Sequence, residues 1–125
     1  MKGIVITTDQ KITIQDFESP LDKSVGAVVG GHIERVSPRL LNQPYCMIVN
    51  ENGLLLELRL NPIGSWLYGS FIHGHPIVGN IVIMKLGTTP EGPDIIGLTD
   101  EEAEAMREEL AIEFHEMREE YQRNE

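Results

Sequence analysis

Very little in this chain is arranged for covalent chemistry. Its 125 residues hold one cysteine, which excludes a disulfide framework within the chain. Cys46 falls inside an apolar, strand-like stretch, where a lone thiol is expected to be a small buried hydrophobe. Lysine and arginine number 10 against 20 acidic residues, for a formal charge of −10. Direct nucleic-acid binding, which needs cations to displace counterions, is disfavoured. No run approaches the ~18–20 apolar residues of a membrane span. The N-terminal MKGIVITTDQK is too short in apolar residues to read as a signal peptide, so a cytosolic, reducing compartment is expected. Phosphate loops of the GxxxxGK[ST] or GxGxxG type are missing, and so are GxSxG and HExxH.

The acidic excess is unevenly placed. Residues 1–99 carry 9 acidic and 7 basic side chains, and residues 100–125 carry 11 and 3. A nearly neutral body is followed by an acidic rod. The reading is an α+β sheet domain over 1–98 with an acidic amphipathic helix over 99–125, in the same domain or serving as a dimerisation element.

What is present is patterning. Asn52-Gly53 is a strong type I′ hairpin signal, because both residues tolerate positive φ. It predicts strands on either side, with Val49 opposite Leu56 and Met47 opposite Leu58. Leu54, Leu56, Leu58 and Leu60 would then share one buried face, with Leu55, Glu57 and Arg59 on the other. Asn61-Pro62 reads as an N-cap and first helical residue, opening about two turns through Trp66 and Leu67 that end at Gly69 and fold over the leucines.

Earlier in the chain, Gly3–Thr7 and Lys11–Gln15 alternate as two strands around Thr8-Asp9-Gln10. Ser19-Pro20 repeats the cap-then-proline signal before Leu21, Val25 and Val28, with Gly30-Gly31 as the stop. His32–Val36 is a strand and Arg39–Pro44 a loop. Past Gly69, Ser70–Pro76 reads as a connector, Ile77–Leu86 as an interior strand apolar on both faces, and Gly87–Asp94 as a loop. Thr99-Asp100-Glu101-Glu102 is a capping box. Met106, Leu110, Phe114, Met117 and Tyr121 follow at helical spacing. About 22 residues at 1.5 Å each give a rod of about 33 Å. Such a rod exceeds what a small sheet needs, so self-association of part of that stripe, as a homodimer, is the expectation; the competing reading has the helix wrap its own sheet and fray after Met117. The fold class is thus α+β, a mostly antiparallel sheet covered by short helices with a long C-terminal amphipathic helix.

Candidate ligand chemistry gathers in Trp66, Tyr68, Phe71, His73 and His75, where aromatics and imidazoles lie in a glycine-containing connector and suit stacking on a base or packing on a partner. The competing reading has Trp66 and Phe71 finish the core. His73 and His75 lack a third ligand at motif spacing, so neither a metal nor a cofactor is expected. His115 is expected to face solvent, Glu51 to be exposed beside the turn, and Glu57 to pair across the sheet near Arg59. No catalytic residue is assigned, and an enzyme is not expected.

Five segments, VGGHIERV (29–36), MIVNENGLLLELRLNP (47–62), SWLYG (65–69), IVGNIVI (77–83) and LTDEE (98–102), resemble a small domain-of-unknown-function family carried by actinobacterial phages and other bacterial mobile elements. The resemblance covers roughly residues 25–105. It implies a phage or mobile-element accessory protein working in the host cytoplasm, with a hint of counter-defence, and it carries over no site residues. Two binding roles follow as expectations. One is an inhibitor or decoy whose acidic helix meets a basic host protein. The alternative is an oligomeric sponge holding a small nucleotide signal near Trp66–His75. A small enzyme is the third and weakest reading.

Overall fold

In a computed structural model describing residues 1–72 and 74–123, the alternating isoleucines make the first hairpin. Strands β1 (Lys2–Ile6) and β2 (Ile12–Asp16) pair antiparallel, Ile4 opposite Ile14 and Ile6 opposite Ile12. Helix α1 (Leu21–Val29) follows, and Gly30 ends it at φ 88° with its N–H on Gly26 O. Pro20, rather than the expected Ser19, takes the N-cap position, and no side chain caps there. Strand β3 (Ile33–Val36) and strand β4 (Tyr45–Asn50) come next, then helix α2 (Pro62–Tyr68), strand β5 (Ile81–Thr89) and strand β6 (Gly92–Ile96). Helices α3 (Asp100–Glu113) and α4 (His115–Arg123) complete the described chain.

The six strands form one antiparallel sheet in the order β2-β1-β5-β4-β3, with β6 pairing the second half of β5. The fold is α+β. Period-2 alternation divides the core into two faces. Ile4, Ile6, Met47, Val49, Ile81 and Ile83 point to the side covered by α2 and α3. Val5, Cys46, Ile48, Val82 and Met84 point to the side covered by α1 through Val25 and Val29. Interior strand β5 serves both, and its first four residues are fully buried. Cys46 is buried as expected, and burial pushes its thiol up from the ordinary value.

Three expectations need correction. The first is the leucine hairpin. Both edges of β4 are taken by β3 and β5, which leaves no ladder for residues 54–60. The competition favours β5 because its Ile-Val-Ile-Met run can be buried on both faces, whereas Glu57 and Arg59 would place charges inside the sheet. Residues 51–57 coil instead into one tight turn. Leu58 N–H reaches Gly53 O and Glu57 N–H reaches Leu54 O, with Glu57 left-handed at φ 54°. That is the pattern that ends a helix, here wrapped around a single turn. Leu54, Leu56 and Leu60 are consequently exposed and Leu58 half-buried.

The second correction is Gly87–Asp94, which is a hairpin rather than a loop. Thr89 pairs with Gly92 across a turn at Pro90-Glu91, and Thr89 Oγ1 donates to Gly92 O at 2.8 Å. The interior strand accordingly runs 81–89 instead of 77–86.

The third is the C-terminal stripe. The capping box is present, with Glu102 N–H on Thr99 Oγ1 at 3.1 Å and Thr99 N–H on Glu102 Oε1 at 2.8 Å. The helix does not run as one rod: it breaks at Phe114 (φ −101°, ψ 17°). Ala103, Met106, Leu110 and Phe114 are buried against their own sheet, and Met117 packs partly on the same core. That part of the stripe packs on β1 and β2 of its own sheet. The kink carries α4 past the β1–β2 turn, where Arg118 Nε donates to Gln10 O at 3.0 Å.

Candidate functional site

Asn61 organises the surface beside the sheet. It is fully buried, and its Oδ1 accepts the Gly64 N–H at 2.9 Å as the α2 N-cap. Its Nδ2 donates to Ile6 O at 3.0 Å and to Gly79 O at 2.9 Å. One side chain thus pins the start of α2 to β1 and to the segment entering β5. Ser65 on α2 clamps the same segment from the other side: its Oγ accepts Ile77 N–H at 2.9 Å and lies 3.1 Å from Ile77 O.

With α2 so fixed, Ile63 and Leu67 go inward and Trp66 goes outward. Trp66 is 44 % exposed and stacks on Phe71, 57 % exposed, with ring centroids 4.8 Å apart. These two rings do not finish the core. Tyr68 stacks on His75 at 5.9 Å, and Gly74, at φ 69°, lies against the Tyr68 ring. The expected ligand residues therefore form two stacked pairs rather than one open cleft. His73 lies outside the described residues.

A cavity of about 290 Å³ opens next to His75. It is lined by Val49 and Asn50 of β4, by Leu54 and Leu55, by the segment His75–Val78, and by Glu34 and Glu51. Asn50 is what sets the turn beside it. Asn50 Nδ2 donates to Val29 O at 3.1 Å and its Oδ1 accepts the Asn52 N–H at 2.8 Å. A Cβ at Gly53 would meet Val78 Cγ2 at 2.8 Å, so only glycine lets the turn sit this close to the segment that leads into β5.

Among the described residues, seven of the ten exposed large apolar side chains fall between Leu54 and Ile72. Reasoning from the sequence put the leucines in the core and so missed them as surface. The available signal was Glu57 and Arg59 interrupting the run. These exposed apolar side chains can bury hydrophobic area against a partner, and the cavity lining includes two acidic residues, Glu34 and Glu51. Among the described residues no three His, Cys, Asp or Glu side chains converge.

The expected self-association residues divide as the fold dictates. Met106, Leu110 and Phe114 are core; Met117 is half-buried on the same core; Tyr121 is half-buried over a cavity of about 170 Å³ shared with Gln10 and Arg118. The outward side of α3 and α4 carries exposed glutamates from Glu101 to Glu120, with His115 also exposed, 3.3 Å from Glu119. Among the described residues, no helix is long and apolar enough to cross a membrane.

No curated protein and no solved structure matches the chain. A family model does, over residues 1–111, a wider span than the motifs alone indicated and one that stops before α4. By that match the chain belongs to the family described as domain of unknown function (DUF3846).

Proposed function

We propose that this protein acts by binding another protein, as an accessory protein of a phage or mobile element in the bacterial cytoplasm, and not as an enzyme. The observation that carries the reading is the exposed apolar concentration between Leu54 and Ile72, built on a rigidly pinned helix and turn. Exposed apolar side chains such as Leu54 and Leu55 beside the cavity and the stacked Trp66–Phe71 pair offer area that a partner can bury. The formal charge of −10 and the exposed glutamates of α3 and α4 favour a basic partner and would speed its approach. An inhibitor or decoy for a basic host protein is the role this supports. A nucleotide sponge has less to rest on, since Trp66 and Phe71 stack on each other and not around a gap.

The test immobilises the wild type and the variant Leu55→Asp/Trp66→Asp. Retained host proteins are identified, and the purified partner is titrated at low salt and at about 0.5 M salt. One basic protein that binds the wild type, weakens with salt and is lost on the double variant is expected. Retention indifferent to both, or no retention, overturns the reading.

A further inference from the structure

The outer edge of β3 is open, and hydrogen-bond phase says which groups it offers. Glu51 N–H donates to His32 O at 2.8 Å, one step beyond the Ile33–Asn50 pair. Antiparallel pairs alternate between bonded and non-bonded. His32, Glu34 and Val36 therefore turn their backbone groups toward β4, and Ile33 and Arg35 turn theirs away. Among the described residues, no hydrogen bond outside the β3–β4 ladder reaches residues 33–36. Glu34 and Arg35 are exposed.

This edge borders the cavity. Glu34 lies opposite Val49, on the sheet face where Val49 lines the same cavity with Glu51, Leu54 and Leu55. We infer that β3 takes an extended segment of a partner protein as an added strand, bonded to the N–H and C=O groups of Ile33 and Arg35. The residue of that segment facing Glu34 is a lysine or arginine, its stem along Leu54 and Leu55 and its head between Glu34 and Glu51. Directly opposed side chains share a face. The segment thus reads apolar–acidic–basic–apolar in antiparallel sense, opposite Val36, Arg35, Glu34 and Ile33. This is a binding mode for the proposed partner and rests on the protein-binding reading.

A second copy is the less favoured occupant. Joining two β3 strands about a two-fold axis normal to the sheet keeps each face on its own side. The two registers with the best overlap then oppose Arg35 to Arg35 or Glu34 to Glu34, and like charges directly opposed repel.

The experiment selects a random peptide library on the intact protein and measures the enriched peptides by fluorescence anisotropy. Arg35→Pro removes an outward N–H together with the guanidinium and leaves the β4 ladder whole, whereas Glu34→Pro would break it; Arg35→Ala, which loses the charge and keeps the N–H, is the reference. Enriched peptides carrying the apolar–acidic–basic–apolar pattern are expected to weaken about threefold to tenfold on Arg35→Pro relative to Arg35→Ala, the loss of one hydrogen bond. On Glu34→Lys the preference for the basic residue should reverse, which keeps the test valid if the proline variant fails to fold. No enrichment, or peptides indifferent to both variants, overturns strand addition. A concentration-dependent dimer abolished by Arg35→Pro overturns it in favour of a second copy. If Leu55→Asp/Trp66→Asp loses the host partner while Arg35→Pro keeps it, the protein-binding reading stands and the strand-addition mode falls.

Discussion

Lys85 Nζ stands 2.6 Å from Glu102 Oε1, the same oxygen that accepts the Thr99 amide. Residue 85 lies on the central strand and residue 102 in the first turn of α3, so one carboxylate closes the helix cap and ties the helix to the sheet.

The lysine contact, followed by the Thr99 amide, holds the Glu102 carboxyl below the usual range. A folded value below the unfolded one stabilises the fold above the unfolded value, and that stability is lost as pH falls through the folded one. Glu102→Gln keeps an oxygen for the Thr99 amide and should cost about 0.5 kcal/mol at neutral pH, mostly through the lysine contact, which is screened because the pair is part-exposed. The gap from wild type should close from about pH 4.3 downward. Urea titrations across that range check it. A gap constant with pH would show that the lysine contact contributes nothing.

Asn61 separates a cap from a buried clamp. If capping were its whole role, Asn61→Asp would be nearly neutral, because Asp caps as well as Asn. A carboxylate cannot donate to Ile6 O and Gly79 O, so Asn61→Asp is expected to be at least as destabilising as Asn61→Ala. The alanine variant should lose about 3 kcal/mol, from buried groups left without partners. Thermal and urea unfolding of the two variants decide the order.

Leu56 tests the corrected turn. At 56 % exposure, Leu56→Ser should change stability by no more than about 0.5 kcal/mol. Leu110→Ala, at a site 1 % exposed, should cost about 3 kcal/mol. A loss of that size at Leu56 would restore the leucine face to the core.

The chain ending at Phe114 should keep its sheet and its particle size. Deletion removes α4 and the Arg118–Gln10 hydrogen bond, worth about 1 kcal/mol. Light scattering should give the same number of chains per particle with and without α4. A drop from two to one would show that Met117 and Tyr121 hold a second copy after all.

Signals that act within a few residues could be read directly. Asn61-Pro62, the Thr99–Glu102 capping box, Gly30 and Gly69 as helix ends, and the Ile4/Ile6 and Ile12/Ile14 alternation all appear where the pattern placed them. Each depends on backbone geometry and on donors and acceptors no more than four residues away, or on a hairpin with a short turn. The open edge of β3 and the cavity beside it could not be read this way, because both depend on what leaves Leu54 and Leu55 outside.

The chain order alone determined an antiparallel sheet, the capped starts of α2 and α3 and the acidic rim of the C-terminal residues, because alternation, caps and charge are local properties. Tertiary structure decided which strand pairs with β4 and which apolar stripe is buried. Those are contests between distant segments, and the one able to bury uncharged side chains on both faces wins. Its victory puts Leu54, Leu55, Leu56 and Leu60 on the surface, and Leu110 and Phe114 are hidden within the molecule.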